Sequence, residues 1–482
     1  MSVLENLKPE RVFHYFEEIT KIPHGSGNTQ QISDYLVAFA KEHGLRHVQD
    51  ESGNVIIFKE AAPGYENAPA VMLQGHVDMV CEKLPESTHD FKKDPLTLFV
   101  EGDIIHADGT TLGGDDGIAV AYELAILEDE KLQHPAIEAV FTVDEEIGLL
   151  GASALDTAPL KGKYLINLDS EEEGILWAGC AGGMTSISEL PVNYQERTGI
   201  RYDIKVDGLL GGHSGAEIDK IRANATLLMA RFLHEFREFG EFGLISLSGG
   251  QKDNAIPRQA EASVLTGQED GERLVSYAAE FTQMLRKEYT GTDEGITVTA
   301  VCQGEKTQQV LHPVSQEKVI FFLMNYPNGI QKMCGFIEGL VETSCNVGVT
   351  RLDEEYLTCS TSVRSSAGSA KKALAGKIQY LTEFLGGEYH VEGDYPSWEY
   401  RQDSALRPLM VQVYKEMYQK EPAVQVIHAG LECGLFYEKI PGLDCISIGP
   451  DMKDIHTSEE TLSISSTARV YEYLLEVLKR LK

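Results

Sequence analysis

Three short apolar runs in the first part of the chain each end on residues that hold metal ions or protons. AVMLQG runs into His76 and Asp78, AVFTVD into Glu145 and Glu146, and YLINL into Asp169. Such runs, stopping at a turn, are the pattern of strands buried on both faces of a parallel sheet. Ligands bind such a sheet outside the carboxyl ends of its strands, so three strand ends would aim five candidate groups at one crevice.

The surrounding sequence agrees with that sheet. PERVFHYFEEITKI and NTQQISDYLVAFAKEHG carry apolar residues at helical spacing, NVIIFKE is a short β-branched run, and the glycine-rich DGTTLGGDDG precedes an amphipathic helix, IAVAYELAILED. Alternating strands and helices predict an α/β fold with a mostly parallel mixed sheet flanked by helices. Near residue 190 the character changes to strands and helices separated by polar loops, such as GIRYDIKVDG, RANATLLMARFLHEFREF and EASVLTG. Residues 191–393 read as an inserted α+β domain, and 394–482, with ALRPLMVQVYKEMYQK, CISIGP and STARVYEYLLEVLKRL, as the second part of the domain begun by residues 1–190. A chain of 482 residues exceeds what one hydrophobic core supports.

With 75 acidic against 42 basic residues, the net charge of -33 argues against nucleic acid as a partner. The eight cysteines form no C-x-x-C pair and read as reduced core thiols. No basic and apolar leader opens the chain and no run of about 18 apolar residues occurs, so a cytoplasmic protein away from membranes is expected.

The chemistry follows from spacing. In H-V-D, extended chain puts imidazole and carboxylate on one face, so Asp78 can orient His76 while the other ring nitrogen binds metal. Asp115 and Asp116 lie among glycines in T-L-G-G-D-D-G, where a tight backbone can project a carboxylate between two cations; Asp115 is the expected bridge and Asp116 the expected cap of the following helix. Glu145 and Glu146 are adjacent and so point apart, which suits a proton acceptor at Glu145 and a ligand at Glu146. His456, in D-M-K-D-I-H-T-S-E-E after CISIGP, is the last expected ligand, with T-S-E-E reading as a helix start.

H-V-D-M-V, G-G-D-D-G, D-E-E-I-G, N-L-D and I-H-T together resemble the co-catalytic zinc peptidases that include carboxypeptidase G, succinyl-diaminopimelate desuccinylase, tripeptidase T and carnosinases. Within that family, Q-G-H-V-D-M-V, G-L-L-G-G-H-S-G, N-A-I-P-R and H-A-G-L-E-C-G are most similar to the aminoacyl-histidine (Xaa-His, β-alanyl-histidine) dipeptidases. The resemblance implies two zinc ions per subunit sharing Asp115, one completed by His76 and Asp169 and the other by Glu146 and His456, with Glu145 as general base. It also implies that the inserted domain is a lid, that His213 polarises the scissile carbonyl, and that Asn254, Arg364 and the backbone at Gly430 bind a dipeptide. A homodimer is a further expectation of the resemblance.

Three competing readings share some of these features. Another amidase of the same clan, an aminoacylase or tripeptidase, would keep every metal residue. A metal-stabilised binding protein would have no use for a free Glu145. A phosphate-loop reading of G-T-T-L-G-G-D-D-G lacks the GK[ST] ending. Cobalt or manganese could replace zinc in so oxygen-rich a site.

Overall fold

The computed structural model describes residues 3–482, which fall into two compact units. The first unit runs to Cys180 and resumes with Tyr400–Val426 and Leu431–Lys482; the second comprises Ala181–Glu399 and Ile427–Gly430. The strand Gly182–Pro191 belongs to the sheet of the second unit. Gly430, which the sequence reading put in the resumed first domain, packs with the second unit, because Ala181 N–H is shared between the carbonyls of Ile427 and Ala429.

The first unit is built on an eight-stranded sheet in the order Arg46–Gln49, Val55–Lys59, Ile137–Thr142, Val71–His76, Tyr164–Asn167, Asp444–Ser447, Ile175–Cys180, Ala423–Ile427. Its centre is parallel and its flanks antiparallel. Val71–His76 and Ile137–Thr142 are buried at every position, as their continuous apolar runs require. The register pairs His76 with Thr142 and Gln74 with Asn167, which brings the carboxyl ends of three strands level. Helix Gly114–Glu128 is buried along almost its whole length, and Ile464–Arg480 starts where Ser463 Oγ accepts the Ser466 N–H and ends on Lys479 and Arg480, which suit the helix dipole.

Two expected helix starts are absent. Asp116 caps nothing: the chain enters the helix through non-helical backbone at Asp115 and Asp116. T-S-E-E does not start a helix either, because Glu460 is drawn away into hydrogen bonds with another loop and the chain passes through the strand Thr461–Ser463 first. Nor are all the cysteines core thiols. All eight are free, but Cys81 and Cys302 are exposed and Cys334 is half-buried. Among the described residues no helix is long and apolar enough to cross a membrane.

The second unit is a nine-stranded antiparallel sheet carrying the helices Ala225–Phe236, Gln268–Glu288, Pro313–Asn325 and Gly368–Phe384. Asn224 caps the first of these through the Thr226 and Leu227 N–H groups. Phe232 and Phe281 meet edge to face at 5.4 Å in its core, both fully buried. Replacing Phe281 by Ala should cost about 3–5 kcal/mol in urea unfolding. Replacing Phe384, which is 75% exposed, should cost less than about 0.5 kcal/mol.

Candidate active site

The level strand ends of the first unit bring together the residues that the sequence pattern singled out there. His76 Nε2 lies 3.1 Å from Asp115 Oδ1 and 3.7 Å from Asp169 Oδ1. His456 Nε2 lies 3.1 Å from Asp115 Oδ2 and 2.8 Å from Glu146 Oε1. Asp115 thus presents one carboxylate oxygen to each imidazole. Three sets of possible ligand atoms, each within 4.8 Å of one another, overlap here: His76, Asp116 and Asp169; His76, Glu145 and Glu146; Asp115, Glu146 and His456.

Asp78 holds more than His76. Its backbone carbonyl lies 3.0 Å from His76 Nδ1 and its carboxylate 3.5 Å away. The same carboxylate accepts the N–H groups of Glu145 at 2.9 Å and Glu146 at 3.3 Å and the Ser26 hydroxyl at 2.8 Å, so it fixes the turn bearing both glutamates. Although burial opposes its ionisation, His76 and these donors hold Asp78 below the usual carboxylate range.

Glu460 does the same for the loop before Asp115, accepting N–H groups from Leu112, Gly113, Gly114 and Asp115. Asp116 Oδ2 accepts the His76 N–H at 3.2 Å while its Oδ1 is buried without a partner. Asp144 and His456, neither a glycine, sit at φ of 54° and 60°, a left-handed conformation that costs roughly 1–2 kcal/mol and persists only where neighbours impose it.

Crowding makes these carboxyls resist ionisation. Burial, then Glu432, Glu146 and Asp115, push Glu145 up to about 8. Burial and Asp116 raise Asp169, burial and Asp115 raise Glu171 to about 7, and burial raises Glu432 to about 7. His456 is drawn up to about 10 by its hydrogen bonds to Asp115 and Glu146. Buried, mutually repelling oxygen donors interleaved with imidazoles are the donor set that divalent cations satisfy, and the orphaned oxygen of Asp116 fits the same need.

The remaining predicted residues come together in the second unit. His213 Nδ1 accepts N–H groups from Ala216 at 2.9 Å and Gly215 at 3.2 Å, leaving Nε2 to carry the proton, and burial beside Arg364 lowers its pKa. Arg364 Nη1 donates to the Tyr395 hydroxyl at 3.0 Å, and Gly430 packs on the same tyrosine ring. Asn254 is exposed, with its carbonyl accepting the Ser214 N–H, and its loop is anchored where Asn346 donates to the carbonyls of Asp253 and Ala255.

A family model for Peptidase family M20/M25/M40 matches residues 72–480. The chain belongs to this family. The cytosol non-specific dipeptidase of Escherichia coli (strain K12) is 35% identical over 483 positions, covering 100% of this chain and 99% of that protein. The crystal structure of aminoacylhistidine dipeptidase from Vibrio alginolyticus superposes with a TM-score of 0.90 at 35% identity, covering 99% of this chain and 98% of that one. The aminopeptidase PepT structure from Bacillus cereus, at 15% identity, a TM-score of 0.57 and coverage of 98% and 99%, shares the fold.

For this M20-family chain, sequence reasoning missed the two glutamates that organise the first unit's site. Glu460 looked like helix-start chemistry. Glu432 stood in H-A-G-L-E-C-G beside the glycine that drew attention, yet it is fully buried and receives Gln74 and Thr142 behind the strand ends. An acid within an otherwise apolar segment was the available signal.

Two outcomes are expected. Glu460→Ala should speed amide hydrogen exchange at Leu112–Asp115 selectively, read by mass spectrometry, because four N–H groups lose their acceptor. Glu145, Asp169, Glu171 and Glu432 all have folded pKa values above their unfolded ones, so the folded state keeps protons that the unfolded state has lost. Stability of metal-free protein in urea should therefore fall as pH rises from about 4 to about 8, and a saturating divalent cation should remove that slope.

Proposed function

We propose that this chain is a dinuclear metallo-dipeptidase that hydrolyses dipeptides, including those ending in histidine such as β-alanyl-histidine. His76, Asp115 and Asp169 would hold one divalent cation and Asp115, Glu146 and His456 a second; zinc suits these donors, with cobalt or manganese able to replace it. When bound, such a pair supplies Lewis acidity that brings the pKa of water towards about 7 and polarises a carbonyl oxygen.

The observation that carries the reading is Asp115, with one oxygen 3.1 Å from each of two imidazoles. Glu145 is the general base. Its carboxylate accepts the proton of the attacking water and returns it to the leaving amine. Asp78 keeps Glu145 and Glu146 aimed through their backbone N–H groups.

In the second unit, the Nε2–H of His213 is a ready donor for the oxyanion that develops on the scissile carbonyl. Arg364, Asn254 and the backbone at Gly430 would receive the dipeptide itself, the guanidinium taking its free carboxylate. The 35% identity to a non-specific dipeptidase and to an aminoacylhistidine dipeptidase supports a dipeptide substrate over the tripeptide and acyl-amino-acid alternatives. A cytoplasmic homodimer completes the proposal, and light scattering tests its mass.

The test is histidine release from β-alanyl-histidine and glycyl-histidine by metal-restored wild type and Glu145→Gln. The variant should bind metal alike and lose about 10²–10⁴-fold in kcat. Equal activity in both proteins would remove Glu145 from the mechanism. No cleavage of either peptide by metal-loaded wild type would remove the dipeptidase reading.

A further inference from the structure

One row of side chains crosses four strands of the second unit. The register pairs Ser344 with Arg364, Arg364 with Gly183, and Gly183 with Tyr395, so all four positions share one face of the sheet. Gly183 has to be small: a Cβ there would lie 2.5 Å or less from the Tyr395 ring and hydroxyl, and its absence lets the tyrosine reach across to Arg364.

The segment Ile427–Gly430 lies over this row. His428 Nε2 is 2.7 Å from Ser344 Oγ at one end, and Gly430 packs on Tyr395 at the other. Gly215, in the loop that bears His213, closes a further side, where a Cβ would meet the His428 carbonyl, His213 Cε1 and Arg364 Nε.

Two polar atoms in this enclosure, His428 Nδ1 and Arg364 Nε, are buried without a hydrogen-bond partner, as is Ser214 Oγ in the loop beside Gly215. His428 is only 7% exposed and Ser214 2%, so both lie away from bulk solvent. Unsatisfied buried donors are costly, and the pair formed by an imidazole nitrogen and a guanidinium nitrogen calls for an anion with at least two acceptor oxygens. Burial beside Arg364 and His213 lowers His428 to about 4, so its ring is neutral.

We infer that His428 is a specificity-determining residue, donating its Nδ1–H, together with Arg364, to the free carboxylate of the substrate peptide. In the tautomer required, the Ser344 hydroxyl donates to Nε2 and leaves the proton on Nδ1. A neutral donor beside a single guanidinium fixes the carboxylate's orientation without adding a second charge. The substrate class rests on the dipeptidase reading above; the carboxylate pocket itself rests on the geometry of the second unit.

The experiment compares glycyl-histidine with glycyl-histidinamide in the metal-loaded wild type, His428→Gln and His428→Asn. Gln places its amide where Nε2 lies and Asn places its amide where Nδ1 lies. His428→Gln should raise KM for the free dipeptide about 10–100-fold, leave kcat within about twofold and leave the amide's KM unchanged. His428→Asn should stay within about threefold of wild type for both substrates. Equal losses with both substrates, or no change in KM for the free dipeptide, would overturn the inference.

Calorimetric titration of the metal-free wild type and His428→Gln with the same two compounds reads the pocket without turnover. Wild type should bind the free dipeptide at least about tenfold more tightly than the amide, and the variant should bind both alike. If the wild type cleaves neither compound, the dipeptidase reading fails. The titration then still decides the pocket, and equal wild-type affinities for acid and amide would reject it.

Discussion

Asp115 divides one carboxylate between two imidazoles, and the architecture of the first unit serves that division. An ionised carboxylate is costly to bury unless its oxygens are paired. Here the partners come from distant parts of the chain: His76 ends a central strand, while His456 arrives from the carboxy-terminal segment and takes a left-handed backbone to reach it. Moving either imidazole would leave one oxygen of Asp115 buried and alone. Asp115 is itself fixed by Glu460, whose carboxylate gathers four consecutive backbone N–H groups from the loop that precedes it.

Charge is handled differently in the two units. The first concentrates acids to the point where several resist ionisation, so its stability depends on which of them hold a proton. The second gathers Arg364 with two histidines kept neutral by burial, and leaves donors without acceptors. One set of groups lacks positive charge and the other lacks an anion. The proposed dipeptidase chemistry would use both, cations in the first set and a substrate carboxylate in the second.

Much of this was legible in the sequence. His76, Asp78, Asp115, Glu145, Glu146 and Asp169 could be located because each follows an apolar run or sits in a glycine-rich loop, and the geometry of a parallel sheet converges strand ends. Helix starts were less legible: Asp116 and the T-S-E-E segment carry good capping residues that long-range partners claim instead. The cysteines misled for a related reason, since apolar neighbours in sequence did not bury Cys81 or Cys302.

The sequence by itself determined the α/β core, the family and the set of groups gathered at the converging strand ends, because those depend on local periodicity and on residue types at fixed spacing. Only the tertiary structure decided which oxygen of Asp115 faces which histidine, that Asp78 grips the backbone of both glutamates, and that Glu460 and Glu432 belong to the first unit's site. It alone set His428 over Arg364, through a four-strand register joining residues far apart in the chain. Hydrogen bonds between such distant residues leave no local pattern, since either partner alone reads as an ordinary buried or surface polar group.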